Sequence, residues 1–300
     1  MPAKITLREM LKRGPVLAPC VYDCVSATLV KEAGFKAMCV SGAEVAASQL
    51  GVPDIGLLTA SELEDTVRRI NTISDLPMIV DIDTGYGNEL NTINTCRRIA
   101  RAGAMAVHLE DQTFPKRCGH LTGKEVIPLD DYIAKVRAAV DALKGTDCML
   151  IARTDAYAVN GIDDAIDRAI AAYEAGADIT LVEGSESVEG IREIGRRVPG
   201  LKMFGMASGG ASPSMSFDEL VSMGYSLITF HYAMFAGIDA MRRVGQICYN
   251  RQDDSYLLDL FKEDPTLPHF YDALGLHDWL QLGKKYNPNI KDAYIKQCEV

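Results

Sequence analysis

"ARAGAMAVHLED", residues 100–111, decides the fold. An amphipathic helix runs out, a glycine follows, and a short apolar run ends on two acids. The same joint recurs as "KEAGFKAMCVSG" (31–42), "YEAGADITLVEG" (173–184) and "VSMGYSLITFHY" (221–232). The glycine fits a helix C-cap, where the chain turns through a left-handed residue. The run after it is strand-length and apolar, as in a parallel strand covered on both faces. Working outward gives eight strands, at 16–22, 37–41, 78–82, 106–110, 148–153, 179–183, 201–206 and 226–231. Helical patterns separate them. "SELEDTVRRINTI" opens on Ser61 with Glu64 three residues on, which predicts a capping box. "DDYIAKVRAAVDALK" and "DDAIDRAIAAYEAG" carry apolar residues at helical spacing behind acidic first turns. Eight alternating units predict an α/β fold, a (β/α)8 TIM-type barrel. A doubly wound open sheet would place G-x-G-x-x-G after the first strand, and "APCVYDCVS" lacks it. After about residue 250 the beat stops. "LLDLFKEDPTLPHFYDALGLHDWLQLGKKY" has helical stripes and no strand. The predicted plan is a barrel over 1–250 and a C-terminal helical extension over 251–300, packing on the barrel or swapping with a neighbouring subunit.

Bulk properties narrow the function. The chain has 300 residues, 48% of them hydrophobic, and a net charge of −10. That charge argues against general affinity for nucleic acid or an anionic membrane. No apolar run approaches the roughly 20 residues of a membrane span. The opening "MPAKITLREMLKRG" has no secretory pattern, so a cytoplasmic protein is expected. The eight cysteines (20, 24, 39, 96, 118, 148, 248 and 298) are scattered, without C-x-x-C or zinc spacing. Reduced thiols are expected, with Cys39 and Cys148 as inert core.

In a barrel the chemistry sits where strands end. Here they end in Ser41-Gly42-Ala43-Glu44, Asp81-Ile82-Asp83, Glu110-Asp111, Arg153-Thr154-Asp155 and Glu183, with Asp54 in the loop after the second strand. Asp81 and Asp83 share one strand face, and Glu110 comes from the next strand. Such like charges suppress one another's ionisation, and a hard divalent cation resolves the conflict. Mg²⁺ suits oxygen donors, and Mn²⁺ is possible. Arg153 offers a fork for a carboxylate or oxyanion. His108 and His231 read by default as satisfied core histidines. Gly209-Gly210 is a weak alternative phosphate site.

Cys118 lies in "KRCGH" (116–120), eight residues after Glu110. That loop, with "SGA" (41–43), "PDIG" (53–56), "VDIDTGYG" (80–87) and "IARTDA" (151–156), resembles the lyase branch of the isocitrate lyase/phosphoenolpyruvate mutase superfamily, over about residues 5–240. The resemblance implies a barrel with Mg²⁺ at its mouth, held by Asp81 and Asp83 with Asp54 and Glu110 supporting. It implies that Ser41, Gly42 and Ala43 bind the keto product's carboxylate, that Arg153 neutralises an oxyanion, and that Gly119, His120 and Glu183 meet the far carboxylate. It also implies a homotetramer. The chemistry would be retro-aldol cleavage of a 2-hydroxy di- or tricarboxylate, with Cys118 protonating the carbanion and Lys116, Arg117 and His120 tuning its thiol. Gly119 and Gly123 suit a loop that closes over the site. The alternatives are oxaloacetate hydrolysis and a non-catalytic carboxylate binder. Three departures stand out: Cys39 where an aromatic often precedes S-G, "FGMASGGASP" (204–213) in place of an Asn-containing stretch, and no arginine in "YAMFAGIDA". They favour a malate-type dicarboxylate, with room for alkyl substituents.

Overall fold

A computed structural model describes residues 5–293. Eight parallel strands close in chain order: β1 Val16–Val21, β2 Met38–Val40, β3 Met78–Asp81, β4 Ala106–Glu110, β5 Met149–Thr154, β6 Ile179–Val182, β7 Leu201–Met206 and β8 Leu227–Phe230. The expected barrel is therefore present. Each strand falls within a residue or two of its expected span. Gly103 ends the helix Glu89–Ala102 with φ 119, a conformation that L side chains rarely adopt. At its joint, Gly176 is likewise left-handed, φ 106.

Strand alternation sorts the residues. Ala106, Ile79, Met149, Ile151, Ile179, Met203 and Leu227 point inward and share one buried cluster. The intervening Val80, Val107, Leu109, Leu150 and Ala152 pack outward beneath the helices. The inward set continues up the strands to Asp81, His108, Glu110, Arg153 and Glu183. The barrel is thus filled with hydrocarbon below and with charge above. Its lower end is stoppered by the helix Leu7–Arg13, which starts at a Thr6/Glu9 capping box and inserts Leu7 and Leu11 into the inner cluster.

One helix start differs from expectation. The helix Ala60–Ile73 is capped by Thr59 with Glu62, not by Ser61 with Glu64. Ser61 and Glu64 instead receive Arg98 from the following helix, at 3.0 and 2.7 Å.

The chain divides into two compact units, residues 1–234 and 235–300. Within the second, helices Tyr256–Glu263 and Leu276–Tyr286 follow the long helix Tyr232–Arg251, and no strand occurs among its described residues. Among the described residues, no helix is long and apolar enough to cross a membrane. Cysteines 20, 24, 39, 96, 118, 148 and 248 are free thiols; Cys298 and the end of the extension lie outside the described residues.

Candidate active site

A cavity of about 70 Å³ sits at the C-terminal mouth of the barrel, and Ser41, Ala43, Asp54, Asp81, Cys118, Gly119, His120, Arg153 and Glu183 all line it. Glu110 and Asp83 adjoin it, two residues further along the chain than the lining His108 and Asp81. The sequence-derived set is therefore brought together around one space. A larger hollow, about 920 Å³, opens at the opposite end among Met10, Arg13, Leu76 and Phe217. It has no converging acids, so the chemistry belongs to the mouth.

The carboxylates are crowded and short of partners. Asp81 accepts the Asp83 amide at 3.1 Å and faces His108 Nδ1 at 3.3 Å. Asp83 takes a left-handed backbone, φ 48. Burial, partly offset by Lys116, pushes its carboxyl up to about 6. Both oxygens of Glu110 are buried without a hydrogen bond. Burial also raises the Glu110 carboxyl well above the usual range. Gly42 packs beside these acids: a Cβ there would stand 3.5 Å from Asp81 Oδ2 and Asp83 Oδ1, in ordinary contact. Among the described residues, no three His, Cys, Asp or Glu side chains stand ready-made around a metal position. The Lys116 ammonium instead lies between Asp54 and Asp83, 2.5 Å from each. The donor set is still the right kind for Mg²⁺. It is all hard oxygen, and both buried oxygens of Glu110 lack a hydrogen bond, with only an ion-pair contact to Arg153 at 3.3 Å to offset their burial.

Arg153 is held rather than free. It forks onto Asp155 at 2.8 and 3.1 Å and reaches Glu110 at 3.3 Å. Asp155 in turn accepts Lys124 Nζ at 3.1 Å, and Lys124 also donates to the Gly119 carbonyl. Asp111 anchors this layer by accepting Thr154 Oγ1 at 2.6 Å and the Asp155 amide at 2.9 Å.

The Cys118 loop lies down on the mouth. The Cys118 amide donates to the Asp54 carbonyl at 3.0 Å, and His120 Nδ1 accepts the Ala211 amide at 3.2 Å. Gly119 is pressed against Arg153 and Glu183, where a Cβ would come within 2.6 and 2.7 Å of their side chains. Burial raises the Cys118 thiol above its ordinary value, outweighing Lys116 and Arg153. The basic loop therefore does not lower the thiol's pKa. The Arg117 guanidinium turns to the Thr122 carbonyl at 3.1 Å.

Three residues expected in the core also line the site; of them Cys39 and His108 are buried. His108, Cys39 and His231 line the cavity. His231 Nδ1 stands 3.0 Å from Glu44 Oε1, and its Nε2 3.8 Å from Cys20. Strands buried on both faces give no inward–outward signal in sequence, which is why these side chains read as core. Gly209-Gly210 forms an exposed turn whose second glycine crowds His120.

A family model described as phosphoenolpyruvate phosphomutase matches residues 7–247. The chain belongs to the phosphoenolpyruvate mutase/isocitrate lyase superfamily. Relatives in this superfamily include a 2-methylisocitrate lyase of Aeropyrum pernix, 39% identical over 92% of this chain and 88% of that protein. A 2,3-dimethylmalate lyase of Eubacterium barkeri is 34% identical over 93% and 96%. Among solved superfamily structures, 2,3-dimethylmalate lyase superposes with a TM-score of 0.88 at 33% identity, covering 96% of this chain and 97% of that one. Oxaloacetate acetylhydrolase bound to 3,3-difluorooxalacetate gives 0.87 at 31%, with the same coverages. Phosphonopyruvate hydrolase, in complex with oxalate and Mg²⁺, gives 0.82 at 26%, over 94% and 98%.

Proposed function

We propose that this protein is a Mg²⁺-dependent carbon–carbon lyase. It would cleave a 2-hydroxy di- or tricarboxylate, of the substituted-malate or methylisocitrate type, to a 2-keto acid such as pyruvate and a second carboxylate. The observation that carries the reading is the Cys118 thiol lining a cavity at which under-partnered carboxylates converge. Retro-aldol cleavage requires that pairing, with charge control at one end and a proton donor at the other.

Asp81, Asp83 and Glu110 would hold Mg²⁺, with Asp54 supporting; the ion supplies Lewis-acid polarisation of the hydroxy acid. The chain's own groups do the rest. Ser41, Gly42 and Ala43 receive the carboxylate next to the hydroxyl. Arg153, fixed by Asp155, stabilises developing negative charge without having to reorganise. Gly119 and His120, with Glu183 behind them, meet the far carboxylate. The Cys118 S–H gives its proton to the carbanion, and the loop excludes water. Gly205, 3.4 Å by its Cβ position from Glu183 Oε2, brings no amide to this wall. Few cations face a third carboxylate, which favours substituted malates. A homotetramer in the cytoplasm, with residues 251–300 as an extension used between subunits, completes the reading; light scattering tests the assembly.

The test is keto-acid release from substituted malates, methylisocitrate and oxaloacetate, with Mg²⁺ or with chelator. Substituted malates should be cleaved fastest, and only with the metal. Absence of keto acid from the whole panel would remove the lyase reading. The likeness to oxaloacetate acetylhydrolase supports a second one, hydrolysis of oxaloacetate, for which oxalate release is diagnostic.

A further inference from the structure

Retro-aldol cleavage also needs a base for the hydroxyl proton, and most titratable groups at the mouth are committed elsewhere. Asp54 is ion-paired with Lys116. His108 faces Asp81. His120 spends Nδ1 on the Ala211 amide and turns Nε2 to Glu183 at 3.5 Å. His231 differs. It stands directly after β8, across the closed barrel from β4, whose following loop carries Cys118. Its Nδ1 is 3.0 Å from Glu44 Oε1, its Nε2 is 3.8 Å from the Cys20 sulfur, and the residue lines the cavity. Glu44 is 5% exposed and its Oε2 has no hydrogen-bond partner. A carboxylate buried with one partner adds little to stability. A carboxylate behind an imidazole does fix the tautomer, leaving the Nε2 lone pair for chemistry.

We propose that His231, oriented by Glu44, is the base that accepts the proton of the substrate's 2-hydroxyl. The inference rests on the lyase reading above. The O–H proton passes to Nε2, and the O–H electron pair becomes the second bond of the new C2 carbonyl. The C2–C3 pair leaves as an enediolate, and the Cys118 S–H proton goes to C3. The site is left as imidazolium and thiolate. Once products depart, the imidazolium returns its proton to the thiolate through water. His231 is the catalytic residue here and Glu44 the positioning one.

The experiment compares His231→Gln, Glu44→Gln and Glu44→Asp with the wild type. His231→Gln should lower kcat about 10²- to 10⁴-fold, the usual share of general acid–base catalysis, with KM and pyruvate inhibition little changed. Glu44→Asp should recover most of the activity that Glu44→Gln loses. The groups facing His231 are Glu44, Cys20, Cys39, Glu183 and His120; Glu44 lies 3.0 Å from Nδ1 and the Cys20 sulfur 3.8 Å from Nε2. Glu44 holds the His231 imidazolium pKa up, so Glu44→Gln should move the acidic limb of kcat/KM to lower pH. Near-normal kcat in His231→Gln, or an unmoved limb, overturns the assignment. Histidine ¹⁵N NMR of the substrate-free protein supplies an arm independent of turnover. The Nδ1–H tautomer of His231 should dominate in the wild type and give way to a mixture in Glu44→Gln. If the wild type cleaves nothing, the lyase reading falls, while an Nε2–H tautomer would by itself overturn the dyad.

Discussion

The two ends of this barrel are made of opposite materials on the same strands. β4 begins with Ala106 in the inner hydrocarbon cluster and ends, two inward positions later, at the orphaned Glu110. β3 passes from Ile79 to Asp81, and β5 from Met149 and Ile151 to Arg153. Below, Leu7 and Leu11 close a dry core. Above, burial pushes Asp83 up to about 6 and leaves Glu110 without hydrogen bonds. The lesson is that stability and chemistry are divided by height. The lower layers supply hydrophobic burial, and that surplus lets the upper layer hold charges that are unfavourable before ligands arrive.

Substitutions at each end can break or sharpen that division. Cys118→Ser should cost the most, lowering turnover about 10²- to 10⁴-fold with an unchanged melting temperature. Turnover near normal would remove the thiol from the reaction. Leu7→Ala, at the other end, should reverse the pattern. It should lose about 2–5 kcal/mol in denaturant unfolding, with kcat/KM per folded molecule unchanged. If Leu7→Ala slowed catalysis as well, the two ends would be coupled. Lys124→Met tests the seam between loop and mouth. Without its ties to Gly119 and Asp155, the loop should settle less accurately and kcat should fall by up to about 10²-fold, more than KM changes. Thr59→Ala, at an exposed helix cap, should cost only about 1 kcal/mol of stability, whereas Ser61→Ala should lose less.

Much of this was legible in the sequence because each layer has a local mark. The helix, glycine and apolar-run joint marked four strands, working outward from them gave the other four, and acids at strand ends gave the mouth. Cys118 stood out by its basic, glycine-broken loop. The cap of helix Ala60–Ile73 was not legible, since two S/T-x-x-E frames overlap there. The choice is made by Arg98, which takes Ser61 and Glu64 from a different helix. Glu44 and His231 are 187 positions apart, and only closure of β8 onto β1 brings them together. Nor does "KRCGH" reveal that its first residue lies 3% exposed between two aspartates.

The straps on the Cys118 loop have a consequence for the order of events. Asp54, Ala211 and Asp155 with Lys124 fasten it to the loops after β2, β7 and β5. Under it remain about 70 Å³, room for a few waters but not for a dicarboxylate. On the proposed lyase reading, a dicarboxylate would have to enter before this loop settles, and the thiol proposed to quench the carbanion would itself be part of the cover.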